Sequence, residues 1–328
     1  MPGRSWGFWT KEKLDVLRRY LDRFTTASKS KPEILYLDLF AGEAENYERF
    51  TGDPIAGSAR VALEVDDPPF SRLTFFELEP QAEELEARLR RDFPGRHIRV
   101  HAGDCNVKIF EALDGLRQVN WAPTFAFIDP NGPHVHWSTL QALAGFKKAK
   151  TTKIELWLLF PHAMFIRLLP RSGRVRPKHA RQLTSMFGTD EWRLIYEARL
   201  SLSITPAQAR EEYVNLMRWR LENVLGYRWT HAIELVTERS QPLYDMIFAT
   251  DHEAGNRIMT SLYNSAASEL PAMRRAAIEK RKLLLDEERG VLRLFEDGGS
   301  EVLVTSTEKL YKHLPPARPF WIPEDAEG

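Results

Sequence analysis

The sequence predicts an α/β fold: a doubly wound, mostly parallel sheet with a C-terminal β-hairpin strand pair, a helical insertion and a C-terminal extension. Three observations predict it. Five short runs are apolar on both faces: ILYLDLF (34–40), LTFFELE (73–79), HIRVHAGD (97–104), TFAFIDP (124–130) and KIELWLLFP (153–161). Strands of that composition are buried on both sides, as in parallel sheets. Helical patterns separate the runs, which is the alternation of βαβ units. Four of the runs close on an acid, at the strand ends where doubly wound sheets bind ligands.

The elements follow in order. Residues 6–27 read as a helix, with Leu14, Leu17, Leu21 and Phe24 at helical spacing and Thr10 as its N-cap. After the first strand, 57–65 is a short helix and 43–56 an extra loop over the strand ends. In 80–93, Leu85, Leu89 and Phe93 share one face, and Glu84→Arg88 and Glu86→Arg90 are i,i+4 pairs on the wet side. Residues 106–117 and 137–149 are shorter helices. Pro170, Gly173 and Pro177 put a loop inside 156–189. A capped helix follows, with Thr205 at the N-cap, Pro206 in the first turn, and Tyr213, Leu216, Met217, Leu221 and Val224 on its apolar face. Residues 228–236 and 242–250 form a hairpin turning at Arg239 to Gln241. A helix at 253–268 carries Ile258, Met259, Leu262 and Tyr263. The tail holds a charged helix (272–289), β-like stretches (VLRLFED, EVLVT) and a Pro-rich end. This gives an N-terminal helix (1–30), a core (31–160 and 227–268), a basic helical insertion (161–226) and an extension (269–328).

Composition bounds the function. Apolar residues are 43% and aromatics 11%, enough for a packed core, so global disorder is excluded. No apolar run approaches the ~18 residues of a membrane span. The start, MPGRSWGFWTKEK, has no signal-peptide stretch. Cys105 is the single cysteine, so a disulfide framework and a Cys-rich metal site are excluded within the chain. A cytoplasmic protein in a reducing compartment is expected. The 46 basic and 46 acidic side chains cancel, but their distribution is uneven. Residues 156–189 hold Arg167, Arg171, Arg174, Arg176, Lys178 and Arg181, and no acid at all. Nucleic-acid phosphates would be neutralised there, and an acidic partner or plain solvent are the other readings. His162 and His179 read as surface or capping residues; no metal spacing is present.

The strand ends carry the candidate chemistry. The first ends Asp38-Leu39-Phe40-Ala41-Gly42, a small turn that admits a ligand to the backbone beside an acid. The second ends at Glu77, placed to accept from both hydroxyls of a ribose. The third ends Gly103-Asp104-Cys105-Asn106, an acceptor for an amine or the cap of the next helix. The fourth ends Asp129-Pro130-Asn131-Gly132. Its proline fixes φ and lacks an N–H, so the Asp side chain and the carbonyl are rigid acceptors for an amine. Each also reads as an ordinary turn. Their occurrence at four successive strand ends is more specific than any one.

These motifs resemble class I S-adenosyl-L-methionine-dependent methyltransferases, which have a Rossmann-like sheet, and more narrowly the three-Cys-motif partner (TcmP) family. The carrying residues are KLDVLRRYLDRF, YLDLFAG (36–42), GSARVAL (57–63), FFELEP (75–80), GDCN (103–106), FIDPNG (127–132) and IFATDHEAGNRIM (247–259). The resemblance implies that Asp38, Phe40, Ala41 and Gly42 frame the methionine part of the cofactor. It implies that Glu77 holds the ribose, Leu78 packs on adenine, and Asp104 and Cys105 meet the adenine edge. Asp129, Pro130, Asn131 and Gly132 would form a target-amine site like that of enzymes methylating exocyclic amines of bases, with S-adenosyl-L-homocysteine as product. It also implies a partner, a radical-SAM-like protein carrying three cysteines. Two positions depart from the pattern. Ala44 replaces the second glycine of FAGxG, where a methyl disfavours positive φ. Asn131 stands where an aromatic would stack on a flipped base, a role left to Trp137 or Phe160.

Two functions are therefore carried forward: a methyltransferase acting on nucleic acid, and a cofactor-binding subunit that serves a radical-SAM partner or a defence system, with little activity alone. A dinucleotide-dependent oxidoreductase is disfavoured by the missing GxGxxG.

Overall fold

The computed structural model describes residues 5–6, 8–48, 54–147, 152–236, 242–288, 311 and 313–322. The first elements are β1 (Ser5–Trp6), α1 (Phe8–Ser28), β2 (Leu35–Asp38), β3 (Glu45–Glu48), β4 (Pro54–Ala56) and α2 (Ser58–Leu63). Next come β5 (Arg72–Glu77), α3 (Gln81–Asp92), β6 (Ile98–Ala102), α4 (Cys105–Gly115), β7 (Thr124–Ile128), α5 (Trp137–Gly145) and β8 (Glu155–Phe160). Four helices follow: α6 (His162–Leu168), α7 (Pro177–Phe187), α8 (Trp192–Leu200) and α9 (Pro206–Asn223). The chain closes with β9 (Trp229–Val236), β10 (Pro242–Thr250) and α10 (Glu253–Glu288).

Seven strands form one sheet in the order β6-β5-β2-β7-β8-β10-β9. All neighbours are parallel up to β8, and β10 runs antiparallel to both β8 and β9. This is the expected doubly wound, Rossmann-like sheet with its C-terminal hairpin at one edge. The central strands β2, β7 and β8 are buried along their whole length, which is why each reads as a continuous apolar run. Alternate side chains feed two cores. Ala126, Ile128, Leu156, Leu158 and Phe160 face α4, α5 and the helices α6 to α9. Phe125, Phe127, Trp157 and Leu159 face α1, α2, α3 and α10. The helices between β8 and β9 thus share the sheet's own core.

Local chemistry sets the helix ends. Thr205 caps α9 in a reciprocal capping box with Gln208. Val224 lies just past that helix and is exposed instead of joining its apolar face. Helix α7 stops at Gly188, whose φ is +68°. A Cβ there would lie 2.2 Å from Trp137 Cγ. Gly188→Ala is expected to destabilise the fold by about 3 kcal/mol or more, from backbone strain and overpacking together. Denaturant unfolding measures it, with Gly145→Ala as control, because nothing lies within 4 Å of a Cβ at Gly145.

Several expectations are corrected. Thr10 lies inside α1 and is not its N-cap. Residues 45–48 and 54–56 are paired strands that join β1 in a second, three-stranded sheet, not a plain loop. The alternation in ENYE was too short and polar to read as a strand. Arg88 pairs with Glu45 and Asp92 instead of Glu84, whereas the Glu86–Arg90 pair forms at 2.6 Å. The expected helices at 253–268 and 272–289 are one helix, α10, which runs through Pro271. A proline removes one backbone donor without obliging a helix to end. The hairpin turn at 239–241 and the β-like stretches of the tail lie outside the described residues. Residues 313–317 dock on α9 and the outermost strand, where Asn215 exchanges bonds of 2.8 and 2.9 Å with the Ala317 backbone. Among the described residues no helix is long and apolar enough to cross a membrane.

Candidate active site

The sequence order of the strands reverses between β2 and β7, the switch point beyond which such sheets bind ligands. A cavity of about 960 Å³ opens there, at the upper end of the roughly 300–1,000 Å³ of small-molecule sites. Its walls come from the turns after β2, β5, β6 and β7, together with α1, Ser58 and α7. Phe40, Ala41, Gly42, Glu77, Leu78, Asp104, Cys105, Asp129 and Asn131 all line it. So do Lys178 and Arg181.

The acidic side is built on the turn after β2. Gly42 adopts φ +62°, which glycine takes without strain. Its N–H donates to Glu77 Oε2 at 2.7 Å, and the Leu78 N–H donates to Glu77 Oε1 at 2.8 Å. Two backbone donors therefore aim this carboxylate, and both oxygens keep lone pairs for a ligand. Leu78 is 57% exposed, an apolar surface at the cavity wall. Ala44 is buried with φ in the ordinary region, and its carbonyl accepts from the Gly57 N–H at 2.9 Å. The turn thus needs no second glycine there. The close approach is made by Gly57 instead, where a Cβ would lie 2.3 Å from the Glu43 carbonyl.

Asp104 is the N-cap of α4, accepting from the Asn106 N–H at 2.9 Å and the Asn106 amide at 2.8 Å, both on Oδ1. Asn106 is itself a clamp. It donates to the His134 carbonyl at 2.9 Å, and its oxygen accepts from the His136 N–H and Thr139 Oγ1, both at 2.8 Å. It ties the end of β6 to the turn after β7. Burial pushes the Cys105 thiol up to about 12, so it is no thiolate nucleophile.

Asp38 is placed differently from expectation. It is fully buried and does not line the cavity. It accepts from the Phe40 N–H at 3.2 Å, the Tyr36 hydroxyl at 3.3 Å and the Ser58 hydroxyl. Burial pushes its carboxyl up to about 7, and the nearby Asp129 charge adds to this. Asp38 supports the floor and Ser58 reaches the wall. The folded chain holds the Asp38 proton above the pH where the unfolded chain releases it. This group's contribution to stability is therefore lost as pH rises from about 4 to about 7 and is level above that. Asp38→Asn is expected to remove this slope, being more stable than the parent at about pH 8 and similar near pH 4. Thermal unfolding across that range checks it, and a variant less stable at every pH contradicts it.

The basic side contains the residues that sequence reasoning missed. Lys13 of α1 forms an ion pair with Asp129 Oδ2, with Lys13 7% and Asp129 22% exposed. Thr10, one turn earlier, has a buried Oγ1 with no partner among the described residues. Lys178, Arg181, Gln182 and Ser185 present one face of α7 to the cavity, and Gln182 Nε2 lies 3.4 Å from His134 Nδ1. Pro130 and Gly132 are buried behind Asp129 and Asn131. Arg167, Arg171, Arg174 and Arg176 are exposed outside the wall, and none forms an ion pair among the described residues. Trp137 and Phe160, expected as stacking groups, belong to the core at 5% and 0% exposure. His162 is buried against Asp245, with Nδ1 2.7 Å from Oδ2, and is not a surface residue. Its position directly after an apolar strand was the available signal of burial.

No family model and no curated protein matches the chain. Two solved structures are similar over 73% of it. One is a protein from Legionella pneumophila str. Philadelphia 1 with the family model DUF519, at 13% identity, 85% of its own length and a TM-score of 0.41. The other is a DUF574 family protein from Streptomyces avermitilis MA-4680, at 12% identity, 82% of its length and a TM-score of 0.36. Both scores are too low to bear on fold or function, and the fold rests on the strand order itself.

Proposed function

We propose that the chain is an S-adenosyl-L-methionine-dependent methyltransferase acting on an exocyclic amine of a nucleic-acid base. The observation that carries this reading is the Glu77 carboxylate, held in the switch-point cavity by the Gly42 and Leu78 N–H groups. The donor set fits the cofactor. Glu77 would hold the ribose hydroxyls, Leu78 would cover one adenine face, and Asp104 would accept from the adenine amine. When bound, the cofactor supplies a sulfonium methyl, whose S–C bond breaks as the new C–N bond forms. Asp129 and the Pro130 carbonyl would accept from the target amine, drawing its lone pair out of conjugation and towards the methyl. Arg167, Arg171, Arg174 and Arg176 would meet the phosphate backbone beside the cavity mouth, with Lys178 and Arg181 leading inward.

Radiolabelled methyl transfer to DNA, RNA and protein pools tests the reading, with label expected in a nucleic-acid pool. Replacing Arg171, Arg174 and Arg176 by Glu is expected to lower nucleic-acid affinity and to flatten its salt dependence by about 0.7–0.9 per lost phosphate contact. Label in protein alone would overturn the nucleic-acid part. One observation favours a second reading. With Asn131 at the motif and Trp137 and Phe160 in the core, the turn after β7 offers no aromatic side chain but His134 and His136 for a flipped base. That suits a cofactor-binding subunit serving a three-Cys-motif, radical-SAM-like partner. Binding of the cofactor without transfer to any pool is its expected signature.

A further inference from the structure

The target side of the cavity presents an ion pair and not a lone carboxylate. Lys13 and Asp129 come from α1 and from the turn after β7, 116 residues apart, and both line the cavity. The Lys13 ammonium has three donors, and Asp129 is the one partner it has among the described residues. Thr10 lies on the same helix face three residues earlier. It is 3% exposed, and its Oγ1 is buried without a partner among the described residues. A buried hydroxyl left unpaired costs about 1–3 kcal/mol, so a ligand atom that satisfies it is favoured. The wall thus places an acceptor, Asp129, directly beside unused donors.

We propose that Lys13, supported by Thr10, is a specificity-determining residue that reads the atom next to the methylated amine. This rests on the methyltransferase reading and names its substrate class. An amine that donates to Asp129 must carry a hydrogen-bond acceptor at the adjacent ring position, facing Lys13. Adenine and cytosine have that edge, an exocyclic amine beside an unprotonated ring nitrogen. Guanine has an N–H beside its amine on the pairing edge, and the unprotonated nitrogen on the other side of that amine lies on the sugar edge, crowded by the ribose; uracil has no amine. A second donor facing the Lys13 ammonium would leave both unpaired, which a polar site rejects strongly.

The test uses the full chain saturated with S-adenosyl-L-homocysteine, into which AMP, CMP, GMP and UMP are titrated. AMP or CMP is expected to bind at least about tenfold tighter than GMP and UMP. Lys13→Met is expected to abolish that discrimination, Thr10→Val to reduce it, and Lys13→Arg to retain part of it. Affinity for S-adenosyl-L-homocysteine should change by no more than about threefold in each variant, which also shows that they fold. Equal binding of the four nucleotides, or discrimination that survives in Lys13→Met, overturns the proposal. So does a loss of S-adenosyl-L-homocysteine affinity in both Lys13→Met and Thr10→Val, which would put these donors on the cofactor carboxylate. Discrimination that depends on Lys13, with no methyl transfer by the parent chain, would sink the catalytic reading and leave this one standing.

Discussion

Glu77→Ala is expected to weaken S-adenosyl-L-homocysteine binding by about a hundredfold or more. The carboxylate would make two charge-assisted bonds to the ribose, each worth roughly 1.5–3 kcal/mol, and about 2.7 kcal/mol is a hundredfold. A second effect adds to this. Glu77 is the acceptor for the Gly42 and Leu78 N–H groups, so its removal frees the two turns that shape the wall. Glu77→Gln separates the contributions. Its amide keeps the volume and one acceptor, but turns an N–H towards a donor. An intermediate loss is expected from it. Calorimetric affinities within about threefold of the parent for Glu77→Ala would remove the residue from the binding site.

Asp129→Asn is expected to lower the rate of methyl transfer by about a hundredfold while leaving S-adenosyl-L-homocysteine affinity nearly unchanged. The substitution keeps the shape of the turn and removes the charge that meets the target amine. It also leaves the Lys13 ammonium, 7% exposed, without its counter-charge. Some loss of thermal stability is therefore expected alongside the kinetic effect. Full transfer activity in this variant would refute the assigned role.

The parts of the fold that the sequence made legible share one physical property. Where a strand is buried on both faces its run is apolar, broken only at one end by Asp38 in β2, Thr124 in β7 and Glu155 in β8, and these strands could be read without tertiary knowledge. The same holds for α9, where the Thr205 and Gln208 box is a purely local device. The acids at the strand ends were legible because strand order turns sequence spacing into spatial proximity. Long-range pairing was not legible. Lys13 sits on an amphipathic helix, where a lysine reads as a wet-face residue, and its partner lies across the sheet. Asp38 was visible as an acid but not as a buried one, since its burial comes from Tyr36 and Ser58 closing over it. Trp137 and Phe160 were assigned to the cavity by their nearness in sequence to Asp129 and to the end of β8. The pleat and the helix phase turn both into the core. The strands β3 and β4 are held by edge pairing in a minor sheet, which leaves no apolar period to read.

Titration of S-adenosyl-L-homocysteine into the full chain tests the central claim most directly, because it asks about the switch-point cavity before any substrate is chosen. Saturable binding of one molecule per chain is expected, weakened by about a hundredfold or more in Glu77→Ala and retained in Asp129→Asn. Absence of saturable binding to the parent chain at ligand concentrations up to about 1 mM would contradict it.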